Sequence, residues 1–356
     1  MIQPVITGTG SHIPDVVVSN GSFLHTQFFD KDGSKLDKSN KAIIEKFAAI
    51  TGIEERRYAP SNNNASDLAY LAAVEAIKNS GIDQETLDYI IVAHNFGDVA
   101  FETNRTSQVP TLASKVKALL RIENPDCVAY DLPFGCPGWV EGVIQANYFI
   151  KSGDAKKCLI IGAETLSRIV DPHDRDSMIF SDGAGAVILE AAESPVKGIL
   201  SHKTQTHALG YLTALNMGHS SSHVANGTKD MYIKMAGRKV YEFALTHVPD
   251  VIKSALDKAG VTIDAISKVL IHQANEKMDT AILTRLFQLY NRTDIPENLM
   301  PMTIHKLGNS SVATVPTLLD LLLKGQLEGH SVKEGDTIVM ASVGAGMNIN
   351  AIVYKI

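Results

Sequence analysis

Short β-branched runs alternate with longer amphipathic stretches along this chain, the pattern of α/β architecture. Apolar runs at 89–93, 127–132, 158–162, 184–189, 269–272, 337–342 and 348–353 predict strands, and the stretches 65–79, 137–151, 240–259, 278–290 and 311–324 have the spacing of helices. The order of elements repeats. Helix, Gly81, linker and a strand ending at His94 are followed later by helix, Gly260, linker and a strand ending at His272, each glycine standing where a helix C-cap is expected. Each copy runs on to a strand-to-helix turn, at Cys136 in the first and Asn309 in the second. Each is then expected to close on a strand, a Gly-Ala-Gly turn and a last strand, with Gly183-Ala184-Gly185 matching Gly344-Ala345-Gly346. Three matches in one order point to an internal duplication. The halves are 1–195 and 196–356, dividing at Ser194-Pro195, and a pseudo-dyad between them would set Cys136 beside Asn309.

Composition narrows the function. The chain has 356 residues, 45% hydrophobic and 20% charged, enough for two cores. With 33 basic against 39 acidic residues and a net charge of −6, it lacks the basic balance of a protein that binds nucleic acid or an anionic membrane surface. The first residues, Met1-Ile2-Gln3-Pro4, do not resemble a signal peptide, and no apolar run approaches the ~18 residues of a membrane span. A cytoplasmic location without membrane insertion is the expectation. Cys127, Cys136 and Cys158 form no C-x-x-C pair and predict reduced thiols. No H-E-x-x-H, Walker loop or metal-spaced cluster is present, so no metal is expected. Gly8-Thr9-Gly10 follows a strand but lacks the third glycine of a dinucleotide fingerprint.

Cys136 differs from the other cysteines in its setting. It precedes Pro137, a residue suited to the first helical position, so the thiol stands at a helix N-terminus where the macrodipole and free amides favour a thiolate. Cys127 and Cys158 lie inside apolar strands and read as structural. His272 ends a strand, where catalytic groups are commonly mounted, with His94 its rival from the other repeat. Asn309 has an equally good local explanation as an N-cap. The turn Gly344-Ala345-Gly346 could set the Ala345 N–H beside that of Cys136 as an oxyanion site, or could simply join two strands.

Together, Asp131-Leu132-Pro133-Phe134-Gly135-Cys136-Pro137-Gly138-Trp139, Ile271-His272-Gln273-Ala274-Asn275 and Gly308-Asn309-Ser310-Ser311 resemble the three active-site motifs of the β-ketoacyl-acyl-carrier-protein synthase III family. Similarity extends over nearly the whole chain, through Thr51-Gly52-Ile53-Glu54-Glu55-Arg56, Asp171-Pro172-His173-Asp174-Arg175, Asp182-Gly183-Ala184-Gly185-Ala186 and Met235-Ala236-Gly237. The resemblance implies a thiolase fold, two duplicated α-β-α-β-α halves forming a five-layer core, usually in a homodimer. It also implies decarboxylative condensation. Cys136 would take an acyl group from a thioester, and His272 and Asn309 would stabilise the enolate made from a malonyl thioester. The substrates implied are phosphopantetheine thioesters of acyl carrier protein or coenzyme A, with no tightly bound cofactor. By position, Arg175, Gly237 and Asn275 match residues around the pantetheine and nucleotide arm, and Phe101 matches a residue given across the dimer to the acyl pocket.

The chain departs from the family at several of these places. Lys46 falls where typical members stack a tryptophan on adenine, Ile50 where they carry a nucleotide-contacting arginine, and Arg238 and Tyr241 replace an asparagine and a phenylalanine. Weaker coenzyme A recognition, and hence a carrier-protein acyl donor, is the expectation. Segments 25–41 and 104–110 are longer than in the housekeeping enzyme and are expected to reshape the tunnel or its lid, so specialised lipid or polyketide-like synthesis stands beside fatty acid synthesis. Other readings compete. The order Cys, His, Asn occurs in papain-like proteases, but the local sequences disagree. A hydroxymethylglutaryl-coenzyme A synthase or a head-to-head condenser would need a general base, for which Glu102 is the candidate. Acyl transfer to an alcohol or amine, and an inactive partner subunit, complete the set.

Overall fold

The computed structural model describes residues 2–193, 197–222 and 230–356; the expected division at Ser194-Pro195 lies outside the described residues. Two sheets carry the fold. The first contains β1 (Ile2–His12), β2 (Tyr89–His94), β3 (Val128–Pro133), β4 (Lys157–Thr165) and β5 (Asp182–Glu193), in the order β1-β5-β4-β2-β3. The second contains β6 (Gly198–Thr206), β7 (Ile266–Ile271), β8 (Thr337–Gly344) and β9 (Asn348–Lys355), in the order β6-β9-β8-β7. In each, a parallel pair (β2 with β4, β7 with β8) adjoins two antiparallel pairings (β4 with β5 and β5 with β1; β8 with β9 and β9 with β6). One sheet plan is thus used twice. Where β3 flanks β2 in the first sheet, the segment at Leu299 accepts a hydrogen bond from Val269 of β7 at 2.9 Å in the second.

The helices are α1 (Asn40–Thr51), α2 (Ala65–Ser80), α3 (Leu112–Leu119), α4 (Gly138–Ser152), α5 (Gly237–Ala259), α6 (Glu276–Gln288), the single turn α7 (Ile304–Leu307) and α8 (Thr314–Leu323). Three apolar clusters define five layers. Residues of α2 and α3 pack on one face of the first sheet, and those of α5 and α6 on one face of the second. Between the sheets lie α4 and α8, with Trp139, Val143, Leu318 and Leu322 in the same cluster as Ile160, Leu270 and Met340. A helix between two sheets has no solvent face, which is why α8 reads Thr-Val-Pro-Thr-Leu-Leu-Asp-Leu-Leu-Leu. Its one charge, Asp320, is held by the Thr9 and Ser11 hydroxyls at 2.7 and 2.6 Å and by Lys324 at 2.8 Å. Those contacts tie the second half to β1 of the first.

Three expectations change. Gly183-Ala184-Gly185 is part of β5 rather than a turn, and only Gly344-Ala345-Gly346 joins two strands; the first half spans the same gap with the longer segment 166–181. Gly8 and Gly10 lie within β1, where a Cβ on either would run into main-chain atoms of α2, so close helix–strand packing accounts for them. The helix expected over 311–324 is divided: Ser311–Ala313 is a 3-10 turn and α8 follows, because Ser311 sits at φ +54°. Among the described residues no helix is long and apolar enough to cross a membrane. Among them, too, no cluster of three or more His, Cys, Asp or Glu side chains is placed to hold a metal.

Candidate active site

β3 delivers the chain to Cys136 at the centre of the molecule. Gly135 turns it with φ +71°, and Pro137, at φ −70° and ψ −3°, caps α4, so the thiol stands at the N-terminus of a central helix. The β8–β9 turn lies directly against it. A Cβ on Gly344 would be 2.7 Å from the Cys136 nitrogen, and one on Gly135 would be 3.0 Å from the Ala345 nitrogen. Glycine at these two positions lets the two main chains touch and sets the amides of Cys136 and Ala345 side by side.

The second half brings Asn309 and Ser311 to the same place. Asn309 is fixed by main-chain bonds to Ile179 at 3.0 Å and from Ser181 at 2.8 Å, and its Oδ1 accepts the Ser311 N–H at 2.8 Å. That commits the carbonyl end of the side chain and leaves its NH2 group as the donor end. Ser311 Oγ–H in turn donates to Cys136 Sγ at 3.1 Å. His272, the first residue beyond β7, donates its own N–H to Ala341 O at 2.9 Å and is buried, and its Nδ1 lacks a hydrogen-bond partner. Burial pushes its imidazole down to about 4, with the Ser311 main chain acting against that shift. The ring is therefore neutral at pH 7 and holds one N–H donor. Cys136 and Asn309 thus both hydrogen-bond to Ser311.

Cys136 keeps part of its surface accessible, but the packing around its sulfur pushes the thiol up to about 11, with the Ser311 hydrogen bond pulling it down. The helix terminus at α4 alone does not make a resting thiolate. Cys127 and Cys158 are buried, their thiols raised by that burial, as suits structural cysteines. His94 is engaged at both ring nitrogens: Nδ1 accepts the Gly97 N–H at 2.9 Å, which leaves Nε2–H to donate to Asp131 at 3.0 Å.

A cavity of about 610 Å³ opens beside this centre. Its walls include Ala274 and Asn275, just beyond His272-Gln273, and Ile179, whose carbonyl holds Asn309. Arg175 and Gly237 line it, as do Lys46, Ile50, Arg238 and Tyr241, and the long segment 25–41 contributes Leu36, Asp37 and Lys38. Asn275 also caps α6, its Oδ1 accepting the Met278 N–H at 3.1 Å. Phe101 and Glu102 are elsewhere, exposed on a surface turn and absent from the cavity wall, with Arg168 over the Phe101 ring at 5.8 Å. In this chain alone they do not reach the centre.

Sequence reasoning did not single out Ser311, nor Asn95, which bonds it, nor Glu164, which bonds Asn95. Asn95 Nδ2 donates to Ser311 Oγ at 2.9 Å and to Glu164 Oε1 at 2.6 Å. A signal existed, since Glu164 is a carboxylate ending an apolar strand.

The sequence matches two family models, 3-oxoacyl-[acyl-carrier-protein] synthase III over residues 130–208 and the C-terminal part of the same family over 256–356. It is 32% identical over 348 residues to β-ketoacyl-[acyl-carrier-protein] synthase III 1 of Halalkalibacterium halodurans, covering 98% of this chain and 96% of that one. Among solved structures, 3-oxoacyl-[acyl-carrier-protein] synthase III of Aquifex aeolicus superposes with a TM-score of 0.79 at 31% identity over 99% of this chain and 100% of that one. The synthase III of Thermus thermophilus gives 0.81 at 29% identity, covering 99% of each. With the duplicated sheets around a central Cys, His and Asn, these similarities show that the chain belongs to the β-ketoacyl-acyl-carrier-protein synthase III family of the thiolase superfamily.

Proposed function

We propose that Cys136, His272 and Asn309 are the catalytic groups through which this chain performs the family's reaction, decarboxylative condensation of an acyl group with a malonyl thioester. The observation that carries the assignment is that Ser311 hydrogen-bonds both Cys136 and Asn309, while the turn between β8 and β9 packs against the Cys136 main chain and buried His272 ends the neighbouring strand. Cys136 Sγ attacks the donor thioester carbonyl; the S–C bond forms, the donor's C–S bond breaks, and the thiol proton leaves on the released carrier thiol. The N–H groups of Cys136 and Ala345 stabilise the oxyanion. The malonyl thioester then loses carbon dioxide, and the electron pair of the broken C–C bond moves onto the enolate oxygen. The neutral His272 N–H and the Asn309 NH2 donate to that oxygen. The enolate carbon attacks the acyl carbonyl, the C–Sγ bond breaks with its electron pair on sulfur, a β-ketoacyl thioester departs, and the Cys136 thiolate takes a proton from solvent. Decarboxylation itself makes the carbon nucleophile, so no general base is required; Glu102→Gln should leave condensation within about twofold of wild type. A large loss there would favour a base-dependent condensation.

Arg175, Gly237 and Asn275 are assigned to the pantetheine arm, supported by their place on the cavity wall. We assign the acyl donor to a carrier protein. Lys46 and Ile50 stand on the cavity wall in place of the expected tryptophan and arginine, while Lys38, Lys46, Arg175 and Arg238 offer cations to a phosphate and an acidic carrier. Condensation assays with matched acyl-carrier and acyl-coenzyme A donors test this; equal or better priming by acyl-coenzyme A overturns the donor assignment. A homodimer in the cytoplasm is the working assembly, supported by the unpaired outer edge of β3 and by three reduced cysteines. Phe101 would serve the partner's acyl pocket. Each half, divided near 195, supplies one sheet.

A further inference from the structure

From Glu164 and Asn95 the hydrogen bonds run in one direction, towards Cys136. Both protons of the Asn95 amide are spent, one on Glu164 Oε1 at 2.6 Å and one on Ser311 Oγ at 2.9 Å. The Asn95 main-chain N–H donates to the same Glu164 oxygen. That oxygen is therefore an acceptor twice over, which fixes the amide with its NH2 group between Glu164 and Ser311. A serine hydroxyl has one proton, and with its oxygen accepting from Asn95 that proton is left to donate elsewhere; Cys136 Sγ, at 3.1 Å, is the acceptor in reach. Chain topology holds the relay in place. Asn95 follows β2 and Glu164 nearly ends β4, neighbouring parallel strands with Ala93 opposite Gly162, while Ser311 comes from the other half.

We propose that Ser311 is the hydrogen-bond donor that stabilises the Cys136 thiolate, and that Asn95, anchored by Glu164, is the positioning residue that commits the Ser311 hydroxyl proton to the sulfur. The inference rests on the reading of Cys136 as the nucleophile. A donor aimed at Sγ serves both stages, because sulfur carries negative charge when it attacks the incoming thioester and again when the C–Sγ bond breaks after condensation. Ser311 is set for this by its backbone. A non-glycine residue at φ +54° is uncommon, and here it aims the hydroxyl at the sulfur while its N–H holds Asn309. Burial supports the need for such a donor, since it raises the thiol and the Ser311 bond is the largest influence in the other direction.

The test is the pH dependence of iodoacetamide alkylation of Cys136 in the full chain, followed by peptide mass spectrometry, with thermal stability as a control. Ser311→Gly removes the hydroxymethyl group and relieves the left-handed backbone, so it should fold; Ser311→Ala removes only the hydroxyl and keeps the Cβ. Both should move the alkylation midpoint up by about one pH unit, roughly a tenfold loss of thiolate at fixed pH. Asn95→Ala, which frees the hydroxyl to rotate, should move it the same way by less. A folded Ser311→Gly protein with the wild-type midpoint overturns the inference and leaves Cys136 as nucleophile intact. A wild-type Cys136 that resists alkylation at every pH while Cys127 or Cys158 reacts overturns both.

Discussion

In the proposed reaction His272 and the Asn309 NH2 act together at the enolate and not on the acylation of Cys136, so substitutions there should separate the two stages. His272→Ala or Asn309→Ala should lower condensation by about 10²–10³-fold, the usual cost of a lost oxyanion donor, while leaving acylation of Cys136 in place; single-turnover loading followed by malonyl chase reads the two steps apart. Because burial holds the His272 imidazole at about 4, it stays neutral from about pH 5 upward, and the condensation rate should show no loss attributable to its protonation between pH 5 and 8. Asp279 is a different case. It is fully buried on α6 with both oxygens lacking partners, and burial raises its pKa well above the ordinary carboxylate value. The unfolded chain releases that proton near 4, so stability drops as pH rises above the unfolded value. Asp279→Leu should stabilise the protein by about 1–3 kcal/mol at pH 7.5, less at pH 4.5, in urea titrations. At this scale the sequence revealed Cys136, His272 and Asn309 through their motifs. It did not reveal Ser311, Asn95 or Glu164, because their roles depend on contacts between strands and between halves rather than on local spacing.

The two glycine turns and the central helices position these residues. Gly344→Ala would push the β8–β9 turn off the Cys136 main chain, since its Cβ would fall 2.7 Å from the nitrogen. Acylation and condensation should both fall by about 10²-fold or more with loss of an oxyanion donor, and stopped-flow loading with saturating donor measures the first. Trp139 on α4 is fully buried between the sheets, with its indole N–H on Ile160 O at 3.4 Å. Trp139→Ala should cost about 3–5 kcal/mol in denaturant titrations. β4 and α8 were legible because burial on two sides leaves no polar gap, and α2 because its one buried face repeats at helical spacing. β6, Gly-Ile-Leu-Ser-His-Lys-Thr-Gln-Thr, and the short helices α1 and α3 were not, since an edge position lets polar residues interrupt the pattern. The turn mistaken at Gly183 shows the limit of matching repeats by composition: the two halves share strands but not the connection between them.

The duplication puts Cys136 of one half against Asn309 and Ser311 of the other, so the proposed site exists only when both sheets close on α4 and α8. Family membership and the layered fold account for the reaction type; the cavity mouth, with Lys46 and Ile50, accounts for the proposed carrier donor. Light scattering should find two chains per particle, and a fully active monomer would contradict the assignment of Phe101 to a partner's pocket. The most direct test of the account is intact-protein mass spectrometry after incubation with acyl-carrier and acyl-coenzyme A thioesters, followed by a malonyl-carrier chase. The account predicts one acyl group on the peptide containing Cys136, discharged by malonyl-carrier with formation of β-ketoacyl-carrier. An acyl group on another residue, or a Cys136 adduct that malonyl-carrier fails to discharge, would contradict it.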